Sequence, residues 1–208
     1  RFISRNGEQN MEATTTTNTK GGTKYLVELA LMIAIIFVMA FTPLGYLRTP
    51  GLSITFLTVP VAVAAMILGP KGGAICGAAF GITSLMQCFG TSAFGAMLLG
   101  INPFGPRILE GLLSGLIFKA VRSKNKNLAY FAGGLACPVL NTIFYMSSLV
   151  LFFYNTDYIQ GFVDTHGVTN PFAYVVALVG VQGAIEAVVC TVVGAAVARA
   201  LAAALKEV

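Results

Sequence analysis

Long apolar segments, separated by short polar connections, run along most of the chain. Residues 1–24 are polar and have no apolar period, so we expect a disordered N-terminal tail there and a membrane domain over 25–208. Six apolar segments follow: 25–41, 52–68, 72–89, 107–121, 128–153 and 172–205. A helix that spans a membrane needs about 20 apolar residues, with a range of about 17–25. The pattern predicts six transmembrane helices, with five or seven as alternatives, and the fourth is short unless residues before Pro106 join it.

Composition supports the same fold class. Hydrophobic residues make up 56% of the 208 residues, charged residues make up 10%, and the mean hydropathy is +0.81. A soluble domain carries about 25% charged residues, so this chain lacks the side chains to cover a water-exposed surface. These values exclude an ordinary soluble enzyme and a disordered chain. They predict an all-α integral membrane protein.

The positions of lysine and arginine set the expected orientation of the helices. With the N-terminus inside, most basic residues fall in the inner connections: Lys20, Lys24, Lys71, Lys119, Arg122, Lys124, Lys126, Arg199 and Lys206. The outer connections hold Arg48, Asp157, Asp164 and His166. We therefore expect both termini in the cytoplasm. Membrane topology also accounts for the net charge of +5, so we expect no nucleic-acid partner.

The sequence carries no motif for catalysis or for metal binding. The four cysteines, which form no CxxC pair, lie singly within apolar runs and are predicted to be small buried hydrophobes: Cys76, Cys88, Cys137 and Cys190. His166 is the single histidine, which argues against a histidine-based metal site. The chain contains no GxxxxGK[ST], HExxH or GxSxG sequence. We expect no enzyme activity, no metal and no cofactor, and any ATP-driven transport would depend on another chain.

Small residues recur at four-residue spacing on two neighbouring segments. Gly73, Gly77 and Gly81 share one face of the third predicted helix, and Gly111 and Gly115 share one face of the fourth. Such faces let helix backbones approach closely. We expect them to pack within the molecule.

Four ionisable residues lie inside the predicted spans, where they are costly and commonly functional. Glu28 is near the cytoplasmic end of the first helix, where it can snorkel or cap. Arg107 and Glu110 are spaced i, i+3, so they either pair with each other or leave Arg107 to bind an anionic ligand group. Glu186, one turn after Gln182, belongs either to a ligand site or to a polar clamp between helices.

With the N-terminus inside, several polar side chains fall toward the outer face of the membrane. Asn141 and Tyr145 are one turn apart on the fifth helix, where they serve either a ligand or interhelical hydrogen bonds. We predict one polar pocket that opens outward and suits a small, polar, partly anionic molecule. Its predicted residues are Gln87, Asn102, Arg107, Asn141, Tyr145, Gln182 and Glu186.

Several short motifs point to a known family. The first helix contains Ala30-Leu-Met-Ile-Ala34, and residues 67–74 read Ile-Leu-Gly-Pro-Lys-Gly-Gly-Ala. Three further motifs follow in order: Gly81-Ile-Thr-Ser84, Gly100-Ile-Asn-Pro-Phe104 and Pro106-Arg-Ile-Leu-Glu110. Over residues 25–205 the chain resembles the substrate-binding S components of energy-coupling factor (ECF) vitamin transporters, in particular the pantothenate-type subfamily.

The resemblance implies a six-helix S component in a bacterial cell membrane. Such a subunit binds a vitamin and works with a transmembrane coupling subunit and two ABC ATPases, and it delivers the vitamin by toppling in the membrane. Ala30 and Ala34 would form the docking face for the coupling subunit. The implied substrate is pantothenate, whose carboxylate Arg107 would hold, with riboflavin, folate or another vitamin as alternatives.

Two functional hypotheses lie outside this family. A self-sufficient proton-coupled carrier would use Glu186 as its proton site and would transport its substrate without partners. A small membrane enzyme would form product on its own, although the sequence offers no nucleophile–base pair for it.

Overall fold

In the part of the chain that the structure describes, six helical segments form a bundle with one short β-hairpin. The computed structural model describes residues 19–43, 45–49, 52–88, 104–153 and 183–205, together with residues 155, 160, 164 and 170. Its helices are α1 (Thr19–Ala40), α2 (Thr58–Ile67), α3 (Gly69–Cys88), α4 (Phe104–Arg122), α5 (Lys126–Phe153) and α6 (Gly183–Ala204). The strands are β1 (Tyr46–Thr49) and β2 (Leu52–Thr55). The prediction of a helical bundle is confirmed.

Three of the described helices are long and apolar enough to cross a membrane. They cover Gly22–Ala40, Lys126–Phe152 and Gly183–Ala204. Their outward faces are rich in exposed apolar side chains, such as Val38 on α1 and Leu151 on α5. In water such faces would be unfavourable, whereas lipid accepts them.

The second apolar segment is not helical from its beginning. The helix predicted from Leu52 is wrong for the first residues, because β1 and β2 form an antiparallel hairpin in which Tyr46 pairs with Thr55. The β-branched residues Ile54 and Thr55 favour an extended chain. The helix α2 then begins only at Thr58. The hairpin therefore ends beside the first turn of α2.

Two helices begin earlier than the apolar pattern predicts. Helix α1 begins at Thr19, within the stretch assigned to the tail. Helix α4 begins at Phe104, so residues before Pro106 do join it and give it 19 residues. A proline is tolerated in the first turn because N–H groups there have no intrahelical acceptor.

Glycines bring α3 and α4 into backbone contact, as the sequence predicts. A Cβ added at Gly73 would overlap the carbonyl of Gly111, and one added at Gly77 would overlap the carbonyl of Arg107. Such close approach is the way in which helices pack in lipid, where dispersion replaces the hydrophobic drive. The register between α3 and α4 is fixed by these contacts.

The core lies between α2 and the surrounding helices. Val61 of α2, Ile36 of α1 and Phe80 of α3 are fully buried there. Free cysteines also lie in the interior, in agreement with their predicted burial: Cys76, Cys137 and Cys190. One π-helical turn, Cys190–Gly194, interrupts α6 just after Glu186.

Candidate functional site

Arg107 lies in the first turn of α4 and is held by α3. Only 7% of its surface is exposed. Its guanidinium stacks on the ring of Phe80, 3.8 Å from the centroid, and it donates hydrogen bonds to the Phe80 carbonyl at 3.3 Å and to Ser84 Oγ. Phe80 and Ser84 are one turn apart, so a ring, a carbonyl and a hydroxyl of one helix fix the cation.

Two buried carboxyl groups lie in the same part of the bundle. Glu110, one turn after Arg107, is 0% exposed, and its Oε1 lies 3.9 Å from the Cys137 thiol of α5. That thiol also lies 3.5 Å from the carbonyl of Thr58. The Thr58 hydroxyl in turn donates to Glu186 Oε1 at 3.5 Å. We call these four residues, contributed by α2, α4, α5 and α6, the carboxyl cluster.

Among the described residues, the charges of this region interact without forming a direct ion pair. Arg107 attracts both Glu110 and Glu186, and the two carboxyl groups repel each other when both are ionised. The predicted i, i+3 pair between Arg107 and Glu110 is not formed, because Arg107 turns to α3 and Glu110 turns to α5. A salt bridge does form on α1, away from this region, where Lys24 Nζ lies 3.7 Å from Glu28 Oε1.

Three buried polar atoms in this region have no hydrogen-bond partner among the described residues: Arg107 Nε, Glu110 Oε2 and Asn141 Oδ1. We call them the open polar atoms. Leaving such a group unsatisfied costs about 1–3 kcal/mol, which is why buried polar groups nearly always have a partner. One cationic donor and two acceptors can together hold a small molecule that carries an anionic group and hydrogen-bond donors.

The remaining predicted site residues are placed only in part. Asn141 is 7% exposed and lies one turn after Cys137, on the same face of α5. Tyr145 is partly buried one turn further along. Gln87 belongs to the last turn of α3, but its side chain is outside the described structure, and so are Asn102 and Gln182.

Sequence reasoning missed several residues that build this site. Phe80 gave no signal of its own, and Ser84 appeared only as the end of the motif Gly81-Ile-Thr-Ser84, without a role. Only the packing of α3 on α4 brings the two residues to Arg107. Thr58 was hidden inside an apolar segment. Cys137 was predicted to be a simple buried hydrophobe, whereas its thiol lies between Glu110 and the Thr58 carbonyl. The polar environment of a lone cysteine cannot be derived from its spacing.

The predicted docking residues lie on another surface. Ala30 and Ala34 are both exposed on α1, one turn apart on one face. Large exposed apolar side chains flank them, among them Leu31 and Val38. Helix α1 contributes nothing to the carboxyl cluster, so this surface is separate from the site.

Two similarities to known proteins bear on this chain. The family model described as "ECF transporter, substrate-specific component" matches residues 24–198. The pantothenate transporter PanT of Leuconostoc mesenteroides subsp. mesenteroides is 37% identical over 134 residues, which cover 58% of this chain and 65% of PanT. The chain thus spans slightly less than two thirds of the length of that curated relative. Because the family model covers most of the sequence, the chain belongs to the family of substrate-specific components of ECF transporters.

Proposed function

We propose that this chain binds pantothenate at the membrane surface and delivers it to an ECF transporter as its substrate-binding subunit. The observation that carries the proposal is the buried Arg107, which is held by Phe80 and Ser84 with Nε still open. A fixed guanidinium of this kind suits a carboxylate. The similarity to a protein named as a pantothenate transporter supports the choice among vitamins.

Pantothenate offers groups that match the polar residues of the region. It carries one carboxylate, one amide and two hydroxyl groups. Arg107 holds the carboxylate, while Asn141, Tyr145, Gln182 and Gln87 hydrogen-bond the amide and the hydroxyl groups. Glu186 accepts a hydrogen bond from a hydroxyl group or restrains Arg107. Asn102 completes the wall of the site.

Transport needs partner chains that supply the energy. The exposed Ala30 and Ala34 dock on a transmembrane coupling subunit, which works with two ABC ATPases. Small residues suit such a surface, because they allow a partner helix to approach closely. The chain lies in a bacterial cell membrane with both termini in the cytoplasm, and toppling carries the bound vitamin inward.

Binding to the purified chain tests the proposal. We expect labelled pantothenate to bind tightly and to be displaced by unlabelled pantothenate, but not by riboflavin, folate, pyridoxine or thiamine. Displacement by one of these vitamins would change the substrate and keep the class of transporter. No binding of any of them would contradict the proposal.

Liposomes separate this function from that of a self-sufficient carrier. Vesicles that hold this chain alone should bind pantothenate without accumulating it. Accumulation should require the coupling subunit, the two ATPases and ATP. Uptake by the chain alone, driven by a proton gradient, would instead favour the carrier.

A further inference from the structure

Glu110 carries the most deeply buried carboxyl group described in the site. It is 0% exposed, and one of its two carboxyl oxygens, Oε2, is an open polar atom. Burial of a carboxyl group is unfavourable unless hydrogen bonds compensate it. A carboxyl group that is fully buried in this way gains a partner for its open oxygen when a ligand binds there.

The neighbours of Glu110 account for its other carboxyl oxygen, Oε1. Oε1 lies beside the Cys137 thiol of α5, at 3.9 Å. Across the cluster, Glu186 Oε1 already accepts the Thr58 hydroxyl at 3.5 Å. Glu110 Oε2 and Asn141 Oδ1 are therefore the open acceptors of this region, and both belong to residues at least nine-tenths buried. Glu28 Oε1 also has no hydrogen-bond partner among the described residues, but it lies on α1 beside Lys24.

Arg107 and Glu110 leave α4 in different directions. The guanidinium of Arg107 contacts Phe80 and Ser84 on α3, whereas the carboxyl group of Glu110 lies next to Cys137 on α5. An extended ligand with an anionic group at one end and a hydrogen-bond donor at the other can bridge these two positions. The cation fixes one end of such a ligand, and the open acceptors fix the other.

We propose that Glu110 is a substrate-binding residue whose Oε2 accepts a hydrogen bond from a hydroxyl group of the substrate, at the end opposite the anionic group that Arg107 holds. Glu110 thereby makes the site selective for hydroxylated acids over acids of the same shape that lack hydroxyl groups. The inference rests on the proposed function and assigns within it a residue that the sequence suggested only as a partner of Arg107.

Two ligands and one substitution test the inference. The ligands are pantothenate and N-(3,3-dimethylbutanoyl)-β-alanine, which keeps the carboxylate, the amide and the branched carbon but lacks both hydroxyl groups. Their affinities are measured for the intact chain and for Glu110→Leu. In the unaltered protein pantothenate should bind at least 10-fold more tightly than the deoxy analogue. In Glu110→Leu this ratio should fall by about threefold or more, because one hydrogen bond to a hydroxyl group is lost while those from the other residues remain.

The ratio of the two affinities is the informative quantity. Removal of the negative charge of Glu110 affects the binding of both ligands alike, because each ligand carries a carboxylate. Any loosening of the fold also affects both ligands alike. Such effects change both affinities and cancel in the ratio, whereas a lost hydrogen bond to a hydroxyl group weakens pantothenate alone. If Glu110→Leu does not fold, Glu110→Gln takes its place, because it keeps the volume of the side chain. We expect Glu110→Gln to lower the ratio by a smaller factor.

Glu28→Leu is the matched control, because it makes the same change in another helix. Glu28 lies on α1, faces Lys24 at 3.7 Å and belongs to no part of the cluster, so the ratio should stay within twofold of that of the unaltered protein. Equal affinity of the two ligands for the unaltered protein, or an unchanged ratio in both Glu110 variants, would overturn the inference and leave the proposed function standing. No binding of pantothenate by the unaltered chain would instead overturn the proposed function, and the inference with it.

Discussion

The two sides of α4 are buried by opposite means. Toward α3 lies the glycine side, where Gly73 meets Gly111 and Gly77 meets the Arg107 carbonyl, backbone against backbone. Toward α5 lies the polar side, where Glu110 is buried beside Cys137 with one oxygen open. Close contact between backbones stabilises helices in lipid, whereas an unsatisfied carboxyl oxygen destabilises the fold. The glycine side thus fixes the position of α4, whereas the polar side is the one that we propose binds the ligand.

Arg107 belongs to both sides of this contrast. Its carbonyl lies against Gly77, while its guanidinium stacks on Phe80 one turn further along α3. Since a side chain is positioned by its backbone, the glycine contact also sets where the cation lies. A change on the glycine side should therefore affect both stability and binding.

Gly77→Val should have the largest effect. The added side chain would overlap the Arg107 carbonyl, so α3 and α4 would have to separate. Overpacking of this kind costs about 1–3 kcal/mol, and we expect the upper end because the obstacle is backbone. The thermal midpoint should fall, and the affinity for pantothenate should fall with it.

Gly22→Val provides the control for this prediction. It makes the same change on α1, where an added Cβ meets nothing within 4 Å. The midpoint should remain close to that of the unaltered protein. If the two variants were equally stable, the close contact between α3 and α4 would not be what stabilises their packing.

Arg107→Ala should come next in size. A hydrogen bond to a charged group contributes about 1.5–3 kcal/mol, so the affinity for pantothenate should fall 10-fold or more. Arg107→Lys keeps the charge but cannot reproduce the planar stack on Phe80 or the forked donors, and its loss should be intermediate. Titration with labelled pantothenate measures both, and unchanged affinity in Arg107→Ala would remove this residue from the site.

The fold of this chain was largely predictable, and the reason is physical. In lipid every backbone group must be satisfied within the chain, so a long apolar segment has few options besides a helix. Gly73, Gly77 and Gly111 could be assigned to packing faces for the same reason, since spacing alone places them on one side of a helix. The hairpin was missed because residues 52–68 are mostly apolar, and apolarity does not distinguish a short strand from a helical turn.

The candidate site was predictable only as a set of residues. Arg107, Glu110 and Glu186 stand out because ionisable groups are rare inside membrane helices. Their partners do not, because Phe80, Ser84 and Thr58 reach them only through the packing of separate helices. The roles of Gln87, Asn102 and Gln182 stay predictions, since their side chains lie outside the described residues.

Ser84→Ala should have the smallest effect of the three, and it tests whether α3 contributes to binding through Arg107. Ser84 Oγ accepts a hydrogen bond from the guanidinium. Ser84 acts on the ligand only by positioning Arg107, so its loss should lower the affinity less than the loss of the charged hydrogen bond to the ligand itself. Its loss should leave Arg107 stacked on Phe80 but less well fixed, so we expect an affinity for pantothenate about threefold lower. The thermal midpoint should also fall, because a buried hydrogen bond to a charged group is lost.

Ser114→Ala is the matched change on the other side of α4. Ser114 is also a buried helical serine, but its hydroxyl donates to the Gly133 carbonyl of α5 at 3.0 Å and does not contact Arg107. Here the free energy of unfolding should fall by about 0.5–1.5 kcal/mol, while the affinity for pantothenate should be unchanged. If Ser114→Ala weakened binding as much as Ser84→Ala does, both serines would act through general packing of α4. A loss of affinity confined to Ser84→Ala would mean that the cation must be held in one orientation, because only that variant alters the contacts of the guanidinium.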